Sequence, residues 1–160
     1  MKLAAAGRPL ANRKKKSKSR SKKTSPHEPH RHYLRGAALE SADAQAARAA
    51  YEACLAGDCT HLNARINLGR LLHLEGLLEQ AEAIYRASSE RDALLLFNLG
   101  VLLEDRGNTR EAIESYGAAL SHDPGMADAH YNLSRLYEAA GEAQAAFRHL
   151  LTYRRLMHPQ

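Results

Sequence analysis

The chain has 160 residues, 26% of them charged, and a net charge of +5, a size that suits one ordinary domain. Its charge is split: residues 1–35 hold 12 Lys or Arg against Glu28 alone, a net of +11, whereas residues 36–160 hold 11 Arg against 17 acidic residues, a net of −6. No apolar run approaches the roughly 20 residues that cross a bilayer, and Leu3 to Ala6 is far too short for a secretory h-region.

The first segment, residues 1–32, reads as a disordered basic tail. All seven lysines lie at or before Lys23, and Arg13 to His32 contains no aliphatic or aromatic apolar residue. Such a stretch buries too little apolar surface to offset the entropy of ordering it. Its candidate binding residues are Arg13, Lys14, Lys15, Lys16, Lys18, Arg20, Lys22 and Lys23. They suit nucleic acid or another polyanion through counterion release. The run has no aromatic side chain to stack on bases, so base-specific recognition is not expected. The bland alternative is a solvated charge run that aids solubility. His27, His30 and His32 read as a polar spacer.

Residues 33–160 predict an all-α domain. The segment 33–60 reads as a degenerate capping unit. After Tyr33 its first helix offers only Leu34, Ala37, Ala38 and Leu39, but Ala47, Tyr51, Cys54 and Leu55 carry a good apolar stripe. Cys54, Cys59 and His61 are the candidates for a metal site. Zinc prefers closer paired ligands and needs a fourth, so Cys54 reads as core and Cys59 as loop. No metal and no cofactor is implied. Two cysteines say little of compartment, and a reducing cytosol is the default.

Internal periodicity dominates the remainder. Asn67-Leu68-Gly69 recurs as Asn98-Leu99-Gly100 and as Asn132-Leu133-Ser134. The last two copies keep a period of about 34 residues. Gly107 and Gly141, Ala112 and Ala146, Ala47 and Ala81, and Tyr51 and Tyr85 keep the same one. The first step is three positions shorter, as from Tyr85 to Tyr116. The boundaries are about 62–92, 93–126 and 127–158, with the deletion between Tyr85 and Leu94. Each unit predicts two short amphipathic helices. Gly76, Gly107 and Gly141 are expected to end the first helices, and Asn108 or Thr109 to cap a second one. Asp123-Pro124 should stop that helix. Gly69, Gly100 and Ser134 are small where the paired helix crosses, with Ala81, Ala112 and Ala146 expected to face them.

These residues resemble the tetratricopeptide repeat, whose pattern runs a large residue, Leu-Gly, Tyr, Ala, an aromatic and Pro over about 34 residues. Leu99, Gly100, Leu103, Ala112, Tyr116, Ala119 and Pro124 match it best. The resemblance implies a right-handed α-solenoid of about three helix pairs plus the capping unit. It also implies an adaptor that binds a partner peptide or helix in a concave groove lined by the first helices, and the default compartment stays cytoplasmic. Asn67, Asn98 and Asn132 look like the asparagine ladder of O-linked N-acetylglucosamine transferase repeats, which holds a peptide backbone. Arg70 and Arg135, three residues further along their helices, would face the same way and could clamp a carboxylate. Alternatively, the asparagines bond across the repeat interface and hold the helix pairs together. The co-chaperone carboxylate clamp fits poorly, because no lysine accompanies the asparagines, and Ile66, Phe97 and Tyr131 line the same face. No P-loop, G-x-S-x-G or H-E-x-x-H motif is present, so no enzyme is expected. The competing function is a polyanion-associated protein localised by its tail.

Overall fold

The computed structural model describes residues 27–158. Among them are eight helices and no strand: α1 Glu28–Leu39, α2 Ala44–Gly57, α3 Leu62–Leu74, α4 Leu78–Arg86, α5 Ala93–Asp105, α6 Thr109–His122, α7 Ala127–Ala139 and α8 Ala143–Met157. They pair as four consecutive hairpins, and the second helix of each packs on the first helix of the next. This is an α-solenoid with one continuous core from Ala47 to Leu136.

Short side-chain and glycine signals set the helix ends. Asp43 accepts a hydrogen bond from the Ala46 amide at 2.9 Å, and Asp92 accepts from Leu94 and Leu95. Both are N-caps. Gly76, Gly107 and Gly141 adopt φ of 76°, 77° and 78°. The residue after each closes the same wide turn: Leu77 N–H donates to Leu72 O, Asn108 N–H to Leu103 O and Glu142 N–H to Tyr137 O, all within 2.9 Å. Asp123 ends α6 as expected. Asn108 occupies the N-cap of α6, but its side chain makes no capping bond.

The N-terminal unit is more complete than its sequence suggests. Helix α1 starts at Glu28, inside the segment assigned to the tail. His30 and His32 therefore lie on a helix rather than in a spacer. Pro29 is buried and lies so close to Gly57 that a Cβ there would sit 2.9 Å from its ring. The His30 ring stacks on Tyr33 at 6.0 Å. Residues 1–26, including Arg13, Lys14, Lys15, Lys16, Lys18, Arg20, Lys22 and Lys23, lie outside the described residues.

The deletion shortens one helix. Helix α2 continues from Tyr51 to Gly57 and α6 from Tyr116 to His122, whereas α4 ends at Arg86, directly after its tyrosine.

Each of the first three hairpins is seated by a tyrosine ring against a residue without a Cβ. An added Cβ would lie 2.6 Å from Tyr51 at Gly36, 2.3 Å from Tyr85 at Gly69 and 2.6 Å from Tyr116 at Gly100. The ring, rather than the expected Ala81 or Ala112, thus occupies the space that each glycine leaves, although both alanines are fully buried. In the last unit Leu150 replaces the tyrosine, and Ser134, which has a Cβ, replaces the glycine. Gly36 was not legible as a repeat glycine, because it stands one position closer to its tyrosine than Gly69 and Gly100 stand to theirs.

Gly36→Ala and Gly100→Ala should each destabilise by about 1–3 kcal/mol through overpacking. Gly117, whose added Cβ would meet nothing within 4 Å, is the control. Gly117→Ala should raise stability by about 0.5–1 kcal/mol, as expected in a helix interior. Urea unfolding of the three variants checks the opposite signs.

Candidate functional site

The face shared by α3, α5 and α7 carries the sequence candidates, and most of them are engaged within the fold. Asn67 donates from Nδ2 to the Tyr51 hydroxyl at 3.0 Å, and Tyr51 donates to the Glu40 carboxylate at 2.5 Å. Arg70 forms an ion pair with the same Glu40. One end of the molecule repeats the other: Asn132 donates to Tyr116 at 3.1 Å, Tyr116 to Glu104 at 3.0 Å, and Arg135 pairs with Glu104 at 3.2 Å. Each set joins two adjacent units. Burial, reinforced by the neighbouring carboxylate, pushes the Tyr51 and Tyr116 hydroxyls up, so both remain protonated donors.

The middle joint lacks this network. His73 stands where Glu104 stands one unit later, and Val101 where Arg135 stands. Tyr85 Oη is buried without a hydrogen-bond partner. Asn98 instead donates to Leu94 O within its own helix at 2.8 Å. The deletion explains the miss. Tyr51 and Asn67 keep the same separation along the chain as Tyr116 and Asn132, but Asn98 stands three positions closer to Tyr85. Polar pairs hold this joint in its place: a hydrogen bond between His73 and Asp105 at 2.8 Å, and ion pairs of Arg86 with Glu111 at 2.7 Å and of Arg106 with Glu82. Exposed pairs of this kind are each worth less than about 1 kcal/mol and weaken with salt.

Of the three ladder amides, Asn98 alone is left out of the joints. On the same helix Leu94 is 49% exposed and Phe97 and Val101 are half-buried, and Tyr131, at the position of Phe97 in the next unit, is 43% exposed. Asn67 and Asn132 each use one donor, and an amide keeps a second donor and a carbonyl oxygen.

Sequence reasoning missed Arg65. It is 7% exposed and donates to Ile84 O at 2.9 Å and to Cys59 O at 2.5 Å, fastening the α2–α3 loop to α4. Its position beside the core stripe offered no signal except a charge where an apolar residue belongs. Cys54 is fully buried, which pushes its thiol up, while Cys59 is exposed. His61 caps α3 by accepting from the Ala64 amide at 3.3 Å. Among the described residues no helix is long and apolar enough to cross a membrane.

A profile of the tetratricopeptide repeat matches residues 97–156, the third and fourth hairpins. A crystal structure of MamA superposes with a TM-score of 0.75 at 19% identity, covering 84% of this chain and 81% of that one. PilF of Pseudomonas aeruginosa superposes with a TM-score of 0.77 at 17% identity, over 85% of this chain and 64% of that one. The chain is a tetratricopeptide-repeat protein. Such repeats are protein-interaction scaffolds. Among curated proteins, a probable UDP-N-acetylglucosamine–peptide N-acetylglucosaminyltransferase SPINDLY of Hordeum vulgare is 42% identical over 57 residues, 36% of this chain. Cellulose synthase operon protein C of Xanthomonas axonopodis pv. citri is 32% identical over 132 residues, 76% of this chain. The tetratricopeptide chain spans only 6% and 9% of these two relatives.

The three joints make a test by one substitution. Tyr51→Phe and Tyr116→Phe should each cost about 1 kcal/mol, the net value of a hydroxyl that is bonded on both sides. Tyr85→Phe removes an unpaired buried hydroxyl and should be neutral or stabilising. Melting temperatures of the three variants check the reversal.

Proposed function

We propose that this protein is an adaptor that takes an extended peptide or helix of a partner protein on the α3–α5–α7 face, with Asn98 as the main polar contact. The observation that carries the reading is the release of Asn98 from the joints while Asn67 and Asn132 serve in them. An amide that bonds only its own helix can exchange that bond for a peptide backbone at little structural cost. Phe97 and Leu94 on its own helix, and Tyr131 at the equivalent place on α7, supply apolar contact. Arg70 and Arg135 already hold Glu40 and Glu104, so an acidic partner group would compete with those carboxylates. The surroundings therefore favour a partner segment that is apolar and bonded through its backbone.

A second reading rests on the +11 charge of residues 1–35, with Arg13, Lys14, Lys15, Lys16, Lys18, Arg20, Lys22 and Lys23 binding a polyanion. The two readings differ in salt dependence, because counterion release makes tail binding fall steeply with ionic strength.

For a partner captured with the whole chain, Asn98→Ala should weaken binding about two- to tenfold, the value of one hydrogen bond, with an unchanged melting temperature. Unchanged affinity would remove Asn98 from the interface.

In the same assay, deletion of residues 1–26 should leave that affinity within about twofold between roughly 50 and 300 mM salt if the groove is responsible. Loss of binding on deletion would transfer the function to the tail.

A further inference from the structure

In each of the first three hairpins the second helix is covered by the first helix of the following unit, α2 by α3, α4 by α5 and α6 by α7. Nothing among the described residues covers α8 in this way, and α8 contains no buried residue. Along it Phe147, Leu150, Leu151, Arg154 and Met157 follow at successive spacings of three, one, three and three residues, which places them on one stripe beginning at the α7 side. Phe147 is 60% exposed, Met157 51% and Leu151 44%. Beside the stripe a 360 Å³ cleft runs between α7 and α8, bordered by Glu138, Phe147 and Leu150. An exposed apolar stripe of this kind is a candidate interaction surface.

The charges around the stripe say what covers it. Acidic groups lie at one end, Glu138 at the end of α7 and Glu142 at the N-cap of α8. Basic groups lie at the other, Arg154 and Arg155 in the last turn. None of these four forms an ion pair among the described residues. Turned end for end, the pattern is its own complement. Phe147, Leu150 and Leu151 lie near the midpoint between Glu142 and Arg155. An antiparallel copy of α8 would therefore set apolar residues against apolar residues and place Arg154 of each copy near Glu138 of the other. A two-fold axis requires this self-complementarity.

Two other occupants fit less well. Head-to-tail stacking would use α1 of a second copy, but Arg35 stands there before Gly36, where Leu68, Leu99 and Leu133 precede Gly69, Gly100 and Ser134. An anionic lipid surface would repel the acidic end of the stripe.

We propose that the stripe Phe147–Leu150–Leu151 of α8 is a homodimer interface, with two copies of the helix packed antiparallel about a two-fold axis and an Arg154–Glu138 contact at each end. The interface lies on α8 and leaves Asn98 free, although its cleft reaches Tyr131 and Arg135 at the end of the α3–α5–α7 face.

Sedimentation equilibrium on the whole chain tests the proposal. At concentrations of tens of micromolar the mass should be twice that of one chain, a range suited to a small interface. Phe147→Glu should yield a monomer with an unchanged circular dichroism spectrum, because the side chain is exposed. Glu138→Arg and Arg154→Glu should each weaken the dimer about tenfold or more. The double variant Glu138→Arg/Arg154→Glu should recover it, since the contact is restored with reversed sign. A monomeric wild-type chain, sedimentation as a monomer on anionic vesicles, an undiminished Phe147→Glu dimer, or no recovery in the double variant would each overturn it.

Discussion

A tyrosine ring pressed against a residue with no Cβ is the contact on which the other features of this solenoid depend. At Gly36, Gly69 and Gly100 the ring of the partner helix occupies the volume that any other side chain would claim. The two helices of a hairpin can then approach closely enough to bury Ala47, Ala81 and Ala112 completely. In the first and third hairpins the seat also places the tyrosine hydroxyl between a carboxylate of its own hairpin and an asparagine of the next unit. Packing within a unit and coupling between units are therefore two ends of the same side chain.

What the hydroxyl meets decides how firmly two units are joined. At the first and third joints it donates to a carboxylate and accepts from an asparagine amide, and an arginine neutralises the carboxylate. With its hydroxyl satisfied on both sides, each network adds rigidity at little desolvation cost. At the middle joint the hydroxyl of Tyr85 is stranded and exposed ion pairs take over. Cooperativity in repeat arrays resides in such nearest-neighbour terms. The molecule is accordingly two pairs of hairpins joined by tyrosine networks, with a joint between them that has none.

Function and stability draw on the same asparagines. A polar residue repeated in register on a groove face reads equally well as a ligand ladder or as a set of struts. Asn67 and Asn132 are struts. Asn98 escapes that role because three residues are missing between Tyr85 and its own helix, and the groove reading rests on this local irregularity. At the far end, Leu150 in the tyrosine's position leaves α8 without the same seat, and its outer face remains available.

The repeat itself was readable from spacing alone. The Asn-Leu-Gly recurrence, the alanines and tyrosines that return in register and the glycines at Gly76, Gly107 and Gly141 specify helix pairs and their turns, because helix periodicity and left-handed backbone are local properties. The position of the deletion, at the end of α4, was readable for the same reason. Tertiary structure alone decided the rest. The sparse apolar pattern after Tyr33 concealed a full helix, since Gly36 contributes by having no side chain, and its value depends on Tyr51 folding back over it. The pairing of Arg70 with Glu40 spans 30 residues, and no local pattern reports such a contact. Above all, three identical asparagines diverged in role because a hydrogen bond depends on reach, and the reach to Tyr85 was changed by residues that are no longer there.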